Sequence, residues 1–285
     1  MQLIRHRETG AGQDWELTLG FPDARFAPYV NQYWEVKGTF SHTREHILPM
    51  GDLALMVNLG PDQLLEDRDD PAQVATFREA WISGLQHQHL TIASPHGSWL
   101  AGVRLTPEGA FRMRLGPAEI AEQVLDLDGV IGPRTGSLID QLRSAPGPGA
   151  RFAILEGVVE ARIAAGQAWG SEIRWAMRQL QASQGGAPVA WMAAELGWTR
   201  QRFHAAFVDA VGLAPKLYAR VLRFQEAIRT IGTATRPDLA AVAQAAGYYD
   251  QAHFNRDFRA FAGLTPGEYL RQRFEGPDLG FARID

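Results

Sequence analysis

GWTRQRFHAAFVDAVGLAPKLY (residues 197–218) and GYYDQAHFNRDFRAFAGLTPGEY (residues 247–269) are two versions of one unit. Phe203, Phe207, Gly212, Leu213, Pro215 and Tyr218 recur 51 positions later as Phe254, Phe258, Gly263, Leu264, Pro266 and Tyr269. The leading glycines, Gly197 and Gly247, are 50 apart, so the second turn holds one more residue. A unit of about fifty residues present only twice is too short a series for a solenoid array. Two matched helical modules in tandem is the reading that fits.

Outward from those stretches, each module has the same plan. Residues 189–196 (VAWMAAEL) form a short helix that stops at Gly197, where glycine can take the left-handed conformation that ends a helix. Thr199 caps the next helix, with Phe203, Phe207 and Val211 on one buried stripe, and Gly212 ends it. In the second copy Leu239 to Ala246 stop at Gly247, Asp250 is the cap, and Phe254, Phe258 and Phe261 face inward. Gly263 closes that helix, and Thr265-Pro266 opens another as cap and first residue. Between the modules, Pro215 to about Ile231 reads as one helix, with Tyr218, Leu222, Ile228 and Ile231 apolar. At 1.5 Å per residue it spans about 25 Å.

Two short helices joined by a tight turn containing glycine form a helix-turn-helix, whose second helix enters the major groove of DNA. The outward side chains on the first such helix are Arg200, Gln201, Arg202 and His204. On the second they are Gln251, His253, Asn255 and Arg256, with Arg259 a turn further on. Arg, Gln and Asn match donor and acceptor pairs on guanine and adenine. Polar helix faces are usually only solvated, and a single look-alike is often accidental. Two copies with matching stops and matching outward chemistry favour double-stranded DNA as the partner. The connecting helix sets the units at a separation suited to the ~34 Å repeat of successive major grooves. Arg220, Arg223 and Arg229 on that helix are candidate phosphate contacts, with internal pairing an equal alternative for each.

With those residues in view, 171–273 resembles the DNA-binding domain of the AraC family of bacterial transcription regulators. GYYDQAHFNRDFRAFAGLTP is similar to the family's most recognisable stretch, and Arg223 with Ala227 falls where its linking helix commonly carries an Arg and a small residue. The resemblance implies an all-α domain of about seven helices carrying two helix-turn-helix units, usually fused to a variable sensor or dimerisation domain. By position it implies contacts from Gln201, His204 and Ala205 in the first unit, and from Gln251, Ala252, Asn255 and Arg256 in the second. Ala205 departs from members that place an arginine there; Arg256, its counterpart in the repeat, keeps one.

The rest of the chain reads differently. At 285 residues it has room for about two domains, and at 46% hydrophobic and 21% charged it has the composition of an ordinary soluble globular protein. Residues 168–275 carry 13 Lys/Arg against 9 Asp/Glu, and the remainder 15 against 23, so the net charge of −4 conceals a mildly basic C-terminal part. That excess is too small to argue for nucleic acid unaided. The first ~115 residues look β-rich. Leu53–Leu59, Leu90–Ala93 and Trp99–Leu105 are candidate strands, and Asp62–Pro71 is a candidate exposed loop. Ile120, Val124, Leu125 and Leu127 suit a short helix, Leu138, Ile139 and Leu142 another, then Arg151 to about Ala165 and Ser171 to Ala182. The fold class expected is α+β: a β-rich barrel or sandwich with flanking helices at 1–165, the helical DNA-binding domain at 168–275, and a tail at 276–285.

No run approaches the ~18 apolar residues of a membrane span, and the N-terminus lacks the apolar core of a signal peptide, so a cytoplasmic location with no membrane partner is expected. With no cysteines, disulfides, thiol catalysis and Cys-ligated zinc are excluded. His42, His46, His87, His89 and His96 raise the alternative of a cupin-like metal-dependent enzyme, with His87 and His89 on one side of a strand. No carboxylate follows His89 closely, and no phosphate loop, nucleophile elbow or HExxH pattern is present. No metal, cofactor or catalytic residue is therefore expected. Trp15, Trp34, Trp81, Trp99 and Trp169, with Tyr29 and Tyr33, suit an aromatic core better than a pocket. The expected function is a DNA-binding transcription regulator, not an enzyme. Control would come from a small-molecule effector or from homodimerisation through the N-terminal domain, with RNA polymerase a possible partner. A constitutive regulator whose first domain only dimerises is the other alternative.

Overall fold

The computed structural model describes residues 1–10, 12–40, 44–68, 70–131, 135–233, 237–272 and 281–283. The N-terminal part is built on two antiparallel sheets. Strands β1 (Gln2–Gly10), β2 (Gln13–Phe21), β3 (Val30–Thr39), β5 (Leu53–Asn58), β8 (Ala80–Ser83), β10 (Ser98–Leu105) and β11 (Val124–Asp126) form the larger, in the order β1-β2-β3-β10-β5-β8-β11. The smaller is ordered β12-β4-β9-β6-β7, from β4 (Arg44–Ile47), β6 (Gln63–Glu66), β7 (Val74–Phe77), β9 (Leu90–Ala93) and β12 (Phe281–Arg283). Of the two expected arrangements the sandwich is the one observed: among the described residues neither sheet closes on itself, so there is no barrel.

Alternation along the strands gives the large sheet two apolar faces. Leu53, Leu55 and Val57 of β5 point one way with Ala101, Val103 and Leu105 of β10. They pack against Phe152, Leu155, Val159 and Ile163 of α5 (Pro148–Ala165). Met56, Leu100, Trp15, Trp34 and Trp81 point the other way, toward the smaller sheet. The tryptophans Trp15, Trp34, Trp81 and Trp169 and the tyrosine Tyr33 are all buried, as a core reading requires. Across the outer layer Arg151 of α5 donates through Nε and Nη2 to Glu35 of β3, at 2.5 and 2.8 Å, in an ion pair with both side chains almost fully buried.

Three expectations fail here. The stretch read as an exposed loop contains β6, because Gln63 is buried and donates from Nε2 to the Pro61 carbonyl while its Oε1 accepts from Ser94 and Ser98. The helix read across Ile120–Leu127 is broken: α2 (Pro117–Ile120) is one turn, β11 then pairs with β8, and α3 (Leu127–Ile131) follows. Glu122, at φ 62°, turns the chain between them, and Val124 and Leu125 point to opposite faces of the sheet rather than to one face of a helix. His87 and His89 precede β9 in a loop, so strand alternation does not relate them.

The remaining helices are α1 (Pro107–Arg112), α4 (Thr135–Ser144), α6 (Ser171–Ala182), α7 (Val189–Glu195), α8 (Arg200–Val211), α9 (Pro215–Thr233), α10 (Leu239–Ala245), α11 (Gln251–Ala262) and α12 (Pro266–Gln272). The seven from α6 to α12 make up the C-terminal part, as expected. One apolar core runs from the large sheet through α5 into α6, α8 and the first half of α9. A second gathers Phe224, Ile228 and Ile231 of α9 with Phe254, Phe258 and Phe261 of α11, and takes in Leu48 from the N-terminal part. Of the positions assigned to the tail, Phe281–Arg283 pair through their backbone with β4, and 276–280 and 284–285 lie outside the described residues.

Candidate nucleic-acid interface

The two modules are built by equivalent bonds. In the first, Trp198 N donates to the Ala193 carbonyl at 2.9 Å; in the second, Tyr248 N donates to the Ala243 carbonyl at 3.0 Å. Each tight turn is then followed by a side-chain cap. Thr199 Oγ1 accepts from Arg202 N at 3.1 Å, and Asp250 Oδ1 accepts from His253 N at 2.6 Å. Phe203 and Phe207, like Phe254 and Phe258, are wholly buried, and this fixes which way each helix faces. At the far end Thr265 and Glu268 form a reciprocal capping box at the start of α12.

With the phenylalanines turned in, Arg200, Gln201, Arg202 and His204 are exposed on α8, as are Gln251, Asn255, Arg256 and Arg259 on α11. Ala205 and Ala252 are exposed beside them. The Arg202 guanidinium lies over the Trp198 ring, 4.3 Å from its centroid, which restrains a long side chain while leaving its donors outward. His253 is the one turned partly inward: its Nε2 is 3.7 Å from Asp257 and its ring is edge-on to Tyr248.

Asp257 would place negative charge beside this face, but it is buried and accepts two bonds from Arg220 of α9, at 2.8 and 3.2 Å. That hydrogen bond, reinforced by the direct attraction of the Asp257 charge and opposed by the loss of hydration, raises the Arg220 pKa above its ordinary value. Arg223 donates to the Gly185 carbonyl at 3.2 Å, and Arg229 is clamped by Glu226 on its own helix. All three linker arginines named as phosphate candidates therefore have partners on this chain, Arg229 in an exposed pair on its own helix. The sequence carries no mark of the Asp257–Arg220 pair, because its members are 37 positions apart on different helices.

Helices α8 and α11 both meet the N-terminal part at their C-terminal ends. Gly212 and Gly263, 51 positions apart, have φ of 98° and 72°. A Cβ on Gly212 would lie 2.6 Å from the Pro117 carbonyl oxygen, and one on Gly263 2.5 Å from His89 Cε1. Within the C-terminal part Trp169 Nε1 donates to the Ala210 carbonyl near the end of α8, and from the N-terminal part His46 Nδ1 donates to the Ala262 carbonyl at the end of α11. His89 N donates to the Phe261 carbonyl, and the His46 and His89 rings stack at 3.9 Å. Burial, the nearby His46 and then Arg68 push His89 down to about 4; burial is also the main cause that lowers His46.

Of the other histidines weighed as metal ligands, His87 bonds Glu122 at 2.5 Å and His42 lies outside the described residues. Among the described residues no group of three or more His, Cys, Asp or Glu is placed to hold a metal ion. Between the sheets, Met56, Leu65, Phe77, Trp81, Leu90 and Ile92 help line a cavity of about 10 Å³, room for about one water.

Residues 192–272 match the family model described as a helix-turn-helix domain. They are an AraC-type helix-turn-helix domain. Residues 21–126, ahead of the AraC-type domain, match a second model, described as a domain of unknown function, DUF6597. No curated protein matches the chain significantly. Among solved structures, ToxT from Vibrio cholerae is similar at 9% identity and TM-score 0.49, with 91% of this chain and 98% of ToxT covered. A fatty-acid-bound ToxT from strain SCE256 gives 12% and 0.48, covering 93% and 97%. The C-terminal domain of AraT, a response regulator from Geobacillus stearothermophilus, gives 20% and 0.35, covering 38% of this chain and 90% of that one. With TM-scores below 0.5, these are distant likenesses. No helix among the described residues is long and apolar enough to cross a membrane.

Proposed function

We propose that this chain is a cytoplasmic, sequence-specific DNA-binding transcription regulator. Residues 168–275 are the reader, inserting α8 and α11 into successive major grooves on one face of the duplex. Residues 1–165 are the sensor and dimerisation part. The observation that carries the reading is the repetition: two helices with equivalent turns, side-chain caps and buried phenylalanines each expose a polar N-terminal face that includes arginine. They are joined by α9, whose 19 residues span about 28 Å. Gln201, Arg202 and His204 read bases in one groove; Gln251, Asn255 and Arg256 read them in the other, with Arg200, His253 and Arg259 at the margins.

The test is selection of duplexes from a random pool by the full chain, followed by affinity measurements on the recovered sequence. Arg256→Ala should weaken specific binding by about 1–3 kcal/mol and relax preference at one or two base pairs. An unchanged affinity and preference would remove Arg256 from the readout. Retention of no sequence, even in dilute buffer, would remove the function.

Control is proposed to pass from the space between the sheets. Leu90 and Ile92, which line it, belong to β9, and β9 starts one residue after His89, whose backbone is bonded to the end of α11. A small apolar effector would need the sheets to part, and would act by binding one arrangement of this contact better than another. Equal DNA affinity with and without a demonstrably bound molecule would count against it. Homodimerisation and contact with RNA polymerase complete the proposal as partners to be sought once DNA binding is measured.

A further inference from the structure

The two reading units differ by one residue in the turn before the second reading helix, and that residue is Tyr249. Thr199 and Asp250 are equivalent caps 51 apart, whereas Trp198 and Tyr248 make equivalent turn bonds 50 apart. Tyr249 is what the second turn has and the first lacks. Its neighbour Tyr248 is buried, packed on His253 and Phe254 with Arg223 over its ring. Tyr249 is 93% exposed, the most exposed large hydrophobic side chain among the described residues. It immediately precedes the cap of α11, at the end of that helix which carries Gln251, Asn255 and Arg256.

An aromatic ring left in water gains nothing for the fold. It gains on meeting a surface that takes an apolar ring and a hydroxyl together, as tyrosine does at interfaces. The wall of a DNA groove has that character: deoxyribose presents apolar carbon, and the phosphate beside it accepts hydrogen bonds from groups including the tyrosine hydroxyl. We propose that Tyr249 is a positioning residue that packs on the sugar-phosphate wall beside the groove entered by α11 and donates its hydroxyl to a phosphate oxygen. This rests on the reading of α11 as a DNA-reading helix. It makes the second unit the one that sets the register of the protein on the duplex, since the first turn has no residue there.

The full chain is compared with Tyr249→Phe, Tyr249→Ala and Arg256→Ala on the selected duplex and an unrelated one, across a salt series. Tyr249→Ala should weaken both duplexes alike, by about fivefold to tenfold, because a backbone contact carries no base information. Tyr249→Phe should keep part of that affinity, losing about threefold with the hydroxyl alone. The slope of log affinity against log salt should match the parent for both variants, since a neutral phenol displaces no counterions. Arg256→Ala should instead weaken the selected duplex more than the unrelated one and flatten the slope. Parental affinity in Tyr249→Ala beside a clear loss in Arg256→Ala overturns this inference and leaves the DNA-reading function standing. A loss confined to the selected duplex overturns it as well, by making Tyr249 a base reader. Failure of the parent to bind either duplex overturns both readings. Unchanged thermal unfolding of the Tyr249 variants identifies any loss as one of contact.

Discussion

At the residue scale, the side chains that start α8 and α11 are as informative as those that face outward. Thr199 and Asp250 each satisfy a backbone donor that has no partner inside the helix. Thr199→Ala and Asp250→Ala should each cost about 1 kcal/mol of stability, seen as a lower midpoint in urea unfolding. Each should also fray the turn that carries its unit's polar face, so amide exchange should quicken at Arg200–Arg202 or Gln251–His253 alone. Uniform exchange across both units would mean that the caps do not act locally. These residues were legible in the sequence because a cap is a local object: a Thr or Asp stands next to the helix it starts. Asp257 was not legible, because what turns it from a surface acid into a buried partner is Arg220 on another helix.

At the element scale, the helical half was readable from spacing and much of the β half was not. Helices α6 to α12 follow a 3.6-residue rhythm, with glycine closing α7, α8, α10 and α11, and each expected helix is found within a few residues of its assigned ends. β11 has only three residues and apolar neighbours on both sides, so period two and period 3.6 look alike over Ile120–Leu127 and the stretch reads as helix. Gln63 hid β6, because a polar residue with buried partners reads as a loop residue. The C-terminal ends of α8 and α11 carry the next prediction. Gly263→Ala introduces both a strained backbone and a methyl against His89, and should destabilise the protein by about 1–3 kcal/mol. Adding His89→Ala should recover the steric part and leave the backbone part. Strict additivity in that double-mutant cycle would show that the ring is not the obstacle.

At the scale of the whole molecule, the lowered pKa values of His46 and His89 predict that the contact between the two halves responds to pH. His89 is pushed down to about 4 and His46 is lowered as well, chiefly by burial in both. The charged groups acting on them are Arg68 at His89, and Arg44 and Glu66 at His46. Because the unfolded chain titrates near 6.5, it binds more protons than the folded one below that pH. Stability is therefore fully present above about pH 6.5 and falls as the pH drops toward 4, by about 2 kcal/mol at most for such a partly solvated site. Thermal midpoints measured between pH 7 and 4.5 should fall more steeply for the parent than for His89→Ala. Parallel profiles would dissociate the histidines from the acid response. None of this contact was visible in the sequence, since His46 and Ala262 are 216 positions apart.

The twin tips at Gly212 and Gly263 share one design, yet unlike chemistry holds them. A peptide oxygen presses on the first, an imidazole on the second. An amide takes up no proton as the pH falls to about 4 and the His89 imidazole does, so acidification discriminates between two otherwise matched halves. The second tip would come loose while its twin stayed fastened, and a molecule that looks duplicated would respond as a hinge with one fixed leaf.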